Sequence, residues 1–488
     1  MSVKSQLLTS VALQEAKRLG ATYADIRLST KERENIVVRN GNITALDSSL
    51  SEGFGIRVIF NGAWGFAASP RVEEAEVKRV AALAVDIARA SGLAKERDVA
   101  LAPELSARET WLTPFVEDPF KVSMSEKLNL LLAIDEILRK SPKIIAAESG
   151  MRFDREHRIL ATSEGTFADQ TLLLSGAGYS VTAVEGSEVQ VRSYPNSFGG
   201  QYMSLGYELV RGLHLLEQAE RVREEAIALL SAKPCPKVKT TLILDGSQLA
   251  LQIHESVGHA TELDRVLGME ANFAGTSFAT LEKEGKFRYG SDIVNLFCDS
   301  TIPAGLATFG FDDDGVRAQR WYLVKNGIFV GYQTSREIAG LLGRPRSTGN
   351  CRAEDWSHIP IIRNGNLCLE PGEHDADDMI AEVDDGIYME TNKSWSIDQK
   401  RLNFQFTCEL GREIRGGKLG DFVKNPTYQS VTPEFWGSCD AIAGPESWVL
   451  WGVVNCGKGQ PGQVAAMSHG ASPARFRNIQ VGAPDKVQ

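Results

Sequence analysis

The chain has 488 residues, too many for one compact core, so two or three domains are expected. A composition of 43% hydrophobic and 24% charged residues with 45 glycines excludes a disordered, collagen-like or coiled-coil chain. With 53 basic and 63 acidic side chains the formal net charge is -10, and no dense Lys/Arg run offsets it, so nucleic acid is not expected as a partner.

Leu7, Leu8, Val11, Ala12, Ala16 and Leu19 recur at helical spacing, broken by Lys4, Gln14, Glu15 and Lys17. This pattern reads as an amphipathic helix rather than a signal peptide. No apolar run approaches the roughly 20 residues of a membrane span. A cytoplasmic protein without a membrane partner is expected. Strands are predicted over residues 24–29, 35–46 and 53–69, with Asn40-Gly41 and Asn61-Gly62 as hairpin turns. A helix over residues 72–91 would carry Val77, Val80, Ala81, Leu83, Ala84 and Ile87 as its apolar stripe.

The order then recurs. Ser123 and Glu126 form a capping box for a helix through residue 138. Strands over 158–193 turn at Glu164-Gly165 and Glu185-Gly186, and a helix over 207–231 closes the block. Helix, strands, helix is thus read over about 1–110 and again over 111–235, either as a duplication or as the order common to α+β domains. Two prolines in 233–239 suggest a linker, which divides an N-terminal α+β domain (1–235) from a C-terminal domain (236–488). The C-terminal domain is predicted to be mainly antiparallel β and to carry one helix, opened by Asp245 as N-cap after a buried strand at 240–244. Asp312-Asp313-Asp314 lacks calcium-loop spacing and reads as a turn. Seven scattered cysteines without a CxxC pair suggest reduced thiols.

The chemistry concentrates on that helix, where His254 and Glu255 are followed by His259. A hydrolytic metal site needs neutral imidazoles to hold the ion and a carboxylate to take a proton from water. The spacing is HExxxH rather than the HExxH of a regular helix face. At about 100° per residue, positions five apart diverge by roughly 140°. Shared ligation therefore requires a π-type turn or kink between Glu255 and His259, which Gly258 would permit. Glu262 and Asp264 are either acceptors for imidazole N–H groups or ordinary polar residues near a helix end. Cys456 is the best distant third ligand, because glycine and polar residues flank it and Lys458 would favour its thiolate. His469 is a rival ligand, an oxyanion donor or a plain loop histidine.

Residues 254–264, HESVGHATELD, resemble the HExxGHxxExD motif of the TldD/PmbA family, formerly described as modulators of DNA gyrase and now as metallopeptidases. Residues 23–43, 347–360 and 455–460 resemble further blocks of the same family, in the same order. The resemblance implies one zinc ion held by His254, His259 and Cys456, with Glu255 catalytic. It places the chain on the catalytic branch, since the PmbA (TldE) branch lacks these ligands. It further implies a homodimer, or a heterodimer with a PmbA/TldE-like subunit, enclosing the site. The implied substrates are unfolded peptides or peptide precursors that are trimmed. Cys351 stands where the family pattern suggests glycine.

Two other classes compete. A non-catalytic scaffold binding peptides or proteins would have no need of His254, Glu255, His259 and Cys456 together. A cysteine hydrolase with Cys456 as nucleophile would survive a chelator. The absence of GxSxG, P-loop and dinucleotide fingerprints weighs against serine-hydrolase, NTPase and Rossmann readings.

Overall fold

The computed structural model describes residues 3–482. The chain opens with α1 (Val3–Arg18), β1 (Tyr23–Arg39), β2 (Asn42–Phe60), β3 (Ala63–Ser69) and α2 (Glu74–Ser91). Both hairpin turns form as the dipeptides require: Asn40 and Gly41 have φ of 49° and 79°, and Asn61 and Gly62 have 48° and 71°. The polar run at 30–34 does not interrupt the first strand as expected. It is paired on both sides, to β2 and to a later strand, so its backbone is satisfied whatever its side chains prefer. In α2 the inward face is Val77, Val80, Ala81, Ala84, Val85 and Ala88, whereas Leu83 and Ile87 are exposed. The alanines are dictated by close approach: a Cβ at Gly65 of β3 would stand 2.0 Å from the Ala84 carbonyl oxygen.

The second block contributes β4 (Arg108–Leu112), α3 (Met124–Leu138), β5 (Ile144–Thr162), β6 (Phe167–Glu185), β7 (Glu188–Tyr194), β8 (Gln201–Met203) and α4 (Leu215–Ser231). The helix expected from 207 is broken, because His214 adopts a left-handed φ of 50° between Glu208–Gly212 and α4. Antiparallel pairing of β1 with β5 fuses the two blocks into one eight-stranded sheet, β3-β2-β1-β5-β6-β4, with β7 and β8 on β6. Each half packs its own helices over its own apolar cluster.

Lys233–Pro234, within the expected linker, is itself an edge strand paired in parallel with Val423–Lys424. Beyond it lie β9 (Lys239–Leu244), α5 (Gly246–Ile253), β10 (Asp385–Ile397), β11 (Asn403–Arg415), β12 (Thr427–Val431), β13 (Val449–Lys458), β14 (Gln463–Ala471) and β15 (Ala474–Val481). The C-terminal part is mainly antiparallel β, as expected, with a further parallel pair at β9–β10. The pairings β9–β10–β11–β12–β15–β9 close into a ring, which leaves none of these five strands as a free edge over its paired length. α5 leaves the ring directly from β9. Beside it stands the β13–β14 hairpin.

Asp312–Asp314 forms the expected turn, with the Gly315 N–H on the Asp312 carbonyl at 3.1 Å, but the turn is buried. Arg57 Nη2 donates to Asp314 at 2.9 Å and Arg158 Nη1 to Asp313 at 2.9 Å, while Asp312 accepts the backbone N–H groups of Val316 and Cys351. All three carboxylates are buried and clamp β2 and β5 of the first sheet onto the C-terminal part. A second clamp centres on Arg192 of β7, which meets Glu225, Glu390 and Glu409. Among the described residues no helix is long and apolar enough to cross a membrane.

Candidate metal centre

Asp245 accepts the Ser247 N–H at 2.8 Å and opens α5. The helix ends at Ile253 and continues as a π turn over His254–Gly258, then a 3-10 turn over His259–Thr261. The predicted distortion is present, and the His259 N–H reaches back to the His254 carbonyl, five residues earlier. Widening the turn brings the two imidazoles to one side, with ring centroids 4.6 Å apart. The carbonyls this geometry frees are taken by side chains: Tyr289 donates to Ser256, Thr261 Oγ1 to Val257, and Gln333 Nε2 to Gly258. Gly258 is needed for space, since a Cβ there would meet Asn364 Nδ2 at 2.8 Å.

Cys456 arrives on β13 just after a bulge, where β13 has one residue more than β14 between the pairs Val453–Met467 and Cys456–Ala465. Its Sγ lies 3.5 Å from His259 Nε2, and one ligand atom from each of His254, His259 and Cys456 lies within 4.8 Å of the others. All three residues are buried.

The hydrogen bonds behind the rings settle which nitrogen carries the proton. His469 Nδ1 faces the Leu367 carbonyl at 3.1 Å, and a carbonyl can only accept. A neutral His469 therefore presents Nε2 as acceptor, and His254 Nδ1 donates to it at 2.7 Å. On the other ring, His259 Nδ1 donates to Glu262 Oε2 at 2.8 Å. Burial holds His254, His259 and His469 below the usual imidazole range, so all three stay neutral. Both ligand rings thus offer an Nε2 lone pair to the same point. Burial pushes the Cys456 thiol up, while the neighbouring Arg363 guanidinium acts to pull it down. Two imidazole nitrogens and one sulfur form a donor set that fits zinc.

Several expectations change. Asp264 does not reach an imidazole; its two oxygens bind Lys458 Nζ at 2.8 and 2.9 Å. Lys458 in turn does not serve the thiol, because Asp264, Glu262 and the Ile362 carbonyl hold its ammonium. The cation beside the sulfur is Arg363, whose Nη2 lies 3.2 Å from Sγ. His469, read as a rival ligand or as a residue behind the ligands, stands behind His254, and Glu262 takes up behind His259 one of the two roles open to it. Glu255 Oε2 accepts from Arg401 Nη1 at 2.5 Å. Neither arginine was visible in the sequence: Arg363 and Arg401 lie 93 and 146 residues from their partners, with no local motif around them.

Glu255 and the three donors open onto a cavity of about 220 Å³, walled by Trp395, Trp451, Phe198 and residues 452–457 of β13. Paired imidazoles and a thiol beside a carboxylate on one widened turn define the class: a candidate metal-dependent hydrolase centre.

The chain belongs to the PmbA/TldA metallopeptidase family: residues 24–88 match its domain 1, 117–230 its central domain and 237–483 its C-terminal domain. A metalloprotease of Methanocaldococcus jannaschii is 28% identical over 83% of this chain and 85% of its own. One of Methanothermobacter thermautotrophicus is 27% identical over 99% and 100%. A protein of Saccharolobus solfataricus named zinc metalloprotease TldD homolog is 22% identical over 96% and 98%. Among solved structures, a Thermotoga maritima protein described as a modulator of a DNA gyrase has a TM-score of 0.78 at 16% identity, covering 98% of this chain and 100% of that one. TldE from Thermococcus kodakarensis gives 0.74 at 17%, covering 98% and 100%. At these identities the two structures share the fold alone.

Proposed function

We propose that the chain is a zinc-dependent peptidase in which His254, His259 and Cys456 hold the ion and Glu255 is the general base. The observation that carries this reading is the convergence of three ligand atoms within 4.8 Å of one another beside the Glu255 carboxylate. A zinc ion bound there supplies Lewis acidity, polarising a carbonyl and lowering the pKa of water. Glu255 accepts the proton of the attacking water and passes it to the departing amine. Trp395 and Trp451 narrow the cavity, which suits an extended segment of chain better than a folded surface. Unfolded peptides and the leader segments of peptide precursors are therefore the proposed substrates.

A dimer is proposed as the working form, with a second copy or a TldE-like subunit enclosing the cavity; the shared fold with TldE supports this. A reducing cytoplasmic setting is compatible with seven free, buried cysteines.

The test is digestion of an unfolded peptide by the metal-loaded chain. Glu255→Gln should lose about 10²–10⁴-fold in kcat while binding zinc in the same stoichiometry by elemental analysis. Full turnover by that variant would remove the mechanism. Turnover that persists in a chelator would point instead to Cys456 as nucleophile, with His259 beside it.

A further inference from the structure

Among the described residues, Arg401 is the one lining the cavity that carries a fixed positive charge. Its backbone is pinned in the turn between β10 and β11. The Asp398 carboxylate accepts the N–H groups of Leu402 and Asn403, the Asp398 carbonyl accepts that of Arg401, and Thr432 donates to the Arg401 carbonyl. The residue itself sits at a left-handed φ of 62°, a conformation that costs a non-glycine residue free energy and persists only where the surroundings impose it. The guanidinium is held differently. Nη1 donates to Glu255 Oε2, and the buried Nε has no partner. The two other arginines near the donors also leave Nε without a partner, but both of their terminal nitrogens are taken: Arg363 by Cys456 and the Gln463 carbonyl, Arg352 by the carbonyls of Ala466 and Asn364.

The guanidinium therefore stands beside the carboxylate that takes the proton, where the same cation can serve the negative charge that appears when the proton moves. We propose, resting on the peptidase reading above, that Arg401 stabilises the oxyanion of the scissile carbonyl and that its pairing with Glu255 is the resting half of a charge exchange. The water oxygen bonds to the carbonyl carbon, and the π pair moves onto the carbonyl oxygen. The water proton goes to Glu255. Glu255 thereby loses its charge at the moment the oxygen gains one, and the guanidinium exchanges one anion for the other. When the C–N bond breaks, its electron pair leaves with nitrogen, which receives the proton from Glu255; the carbonyl re-forms and Arg401 returns to the carboxylate. Net charge in the cavity is constant throughout, and the donor is in place before the reaction begins.

The zinc-loaded full chain is compared with Arg401→Met and Arg401→Lys. Loss of one oxyanion donor should lower kcat by about 10²–10³-fold in Arg401→Met with KM little changed, and Arg401→Lys should recover part of it. A phosphinic peptide, whose tetrahedral anion mimics the charged stage, should bind the Met variant more weakly by the same factor. A ketomethylene isostere of the same sequence should bind both proteins alike. Zinc content should be unchanged. The proposal is overturned if Arg401→Met keeps its kcat, loses both analogues equally, changes only KM, or loses zinc. Failure of the wild-type chain to cut an unfolded peptide, or undiminished cutting by Glu255→Gln, would instead sink the peptidase reading, and the role of Arg401 would fall with it.

Discussion

Lys458 lies two residues beyond Cys456 yet turns its ammonium away from the thiol, into the carboxylates of Asp264 and Glu262. It thereby ties the strand that carries the sulfur to the turn that carries both imidazoles. Asp264, Glu262, Glu270, Lys458 and Arg265 are all buried, so deleting one cation leaves carboxylate charge uncompensated in a medium that cannot solvate it. Lys458→Met is expected to cost about 3–5 kcal/mol, read from urea denaturation, and to weaken zinc retention in parallel. At this scale the sequence was readable wherever the chemistry is local. His254, Glu255 and His259 declare themselves by spacing, and Cys456 by its glycine and polar neighbours. Glu262 was one of two equal candidates for backing an imidazole, and only the fold separates it from Asp264. Arg363 and Arg401 reach the site from connecting segments far along the chain, and nothing in their flanks distinguishes them from the other arginines.

The π turn is the element on which the centre depends. A five-residue separation cannot place two rings together on a 3.6-residue helix, so the distortion was deducible from the motif alone. What was not deducible is how the turn is maintained, because Tyr289, Gln333 and Asn364 come from elsewhere in the chain. Asn364 is fully buried, and its oxygen is held by Gln333 Nε2 at 2.7 Å, so it has little freedom to retreat from a methyl group at position 258. Gly258→Ala is therefore expected to destabilise the fold by about 1–3 kcal/mol and to lower zinc affinity, measured by thermal unfolding and by competition with a chromogenic chelator. The strands show the complementary lesson. Hairpin turns were legible because Asn-Gly dipeptides adopt positive φ easily, whereas the polar middle of β1 was not, because ladder bonds on both flanks outweigh its side-chain preferences.

For the molecule as a whole, the seam between the first sheet and the C-terminal part carries buried ionic clamps beside small apolar clusters such as Leu160, Ala168 and Phe311. At one clamp Ser193 N and Oγ each donate to Glu409 at 2.7 Å, with Arg192 close by. Burial outweighs these contacts and pushes Glu409 from 4.5 up to about 7. A raised folded-state value means the proton is bound more tightly in the native protein. The contribution to stability is then fully present below about pH 4.5 and is lost as pH rises through about 7, a change of roughly 3 kcal/mol. Urea midpoints of the wild type should fall across pH 5–8 by this component, and Glu409→Gln should flatten it. Such seams escape a sequence reading because the Asp312–Asp314 turn is legible but its burial is not, until Arg57 and Arg158 are seen to meet it.

The two chains of protons behind the imidazoles end differently, one at the main chain of Leu367 and the other at the side chain of Glu262. Each ligand ring is nonetheless backed directly by one side chain, His469 behind His254 and Glu262 behind His259, so a single codon change at either place would free one of the two imidazoles.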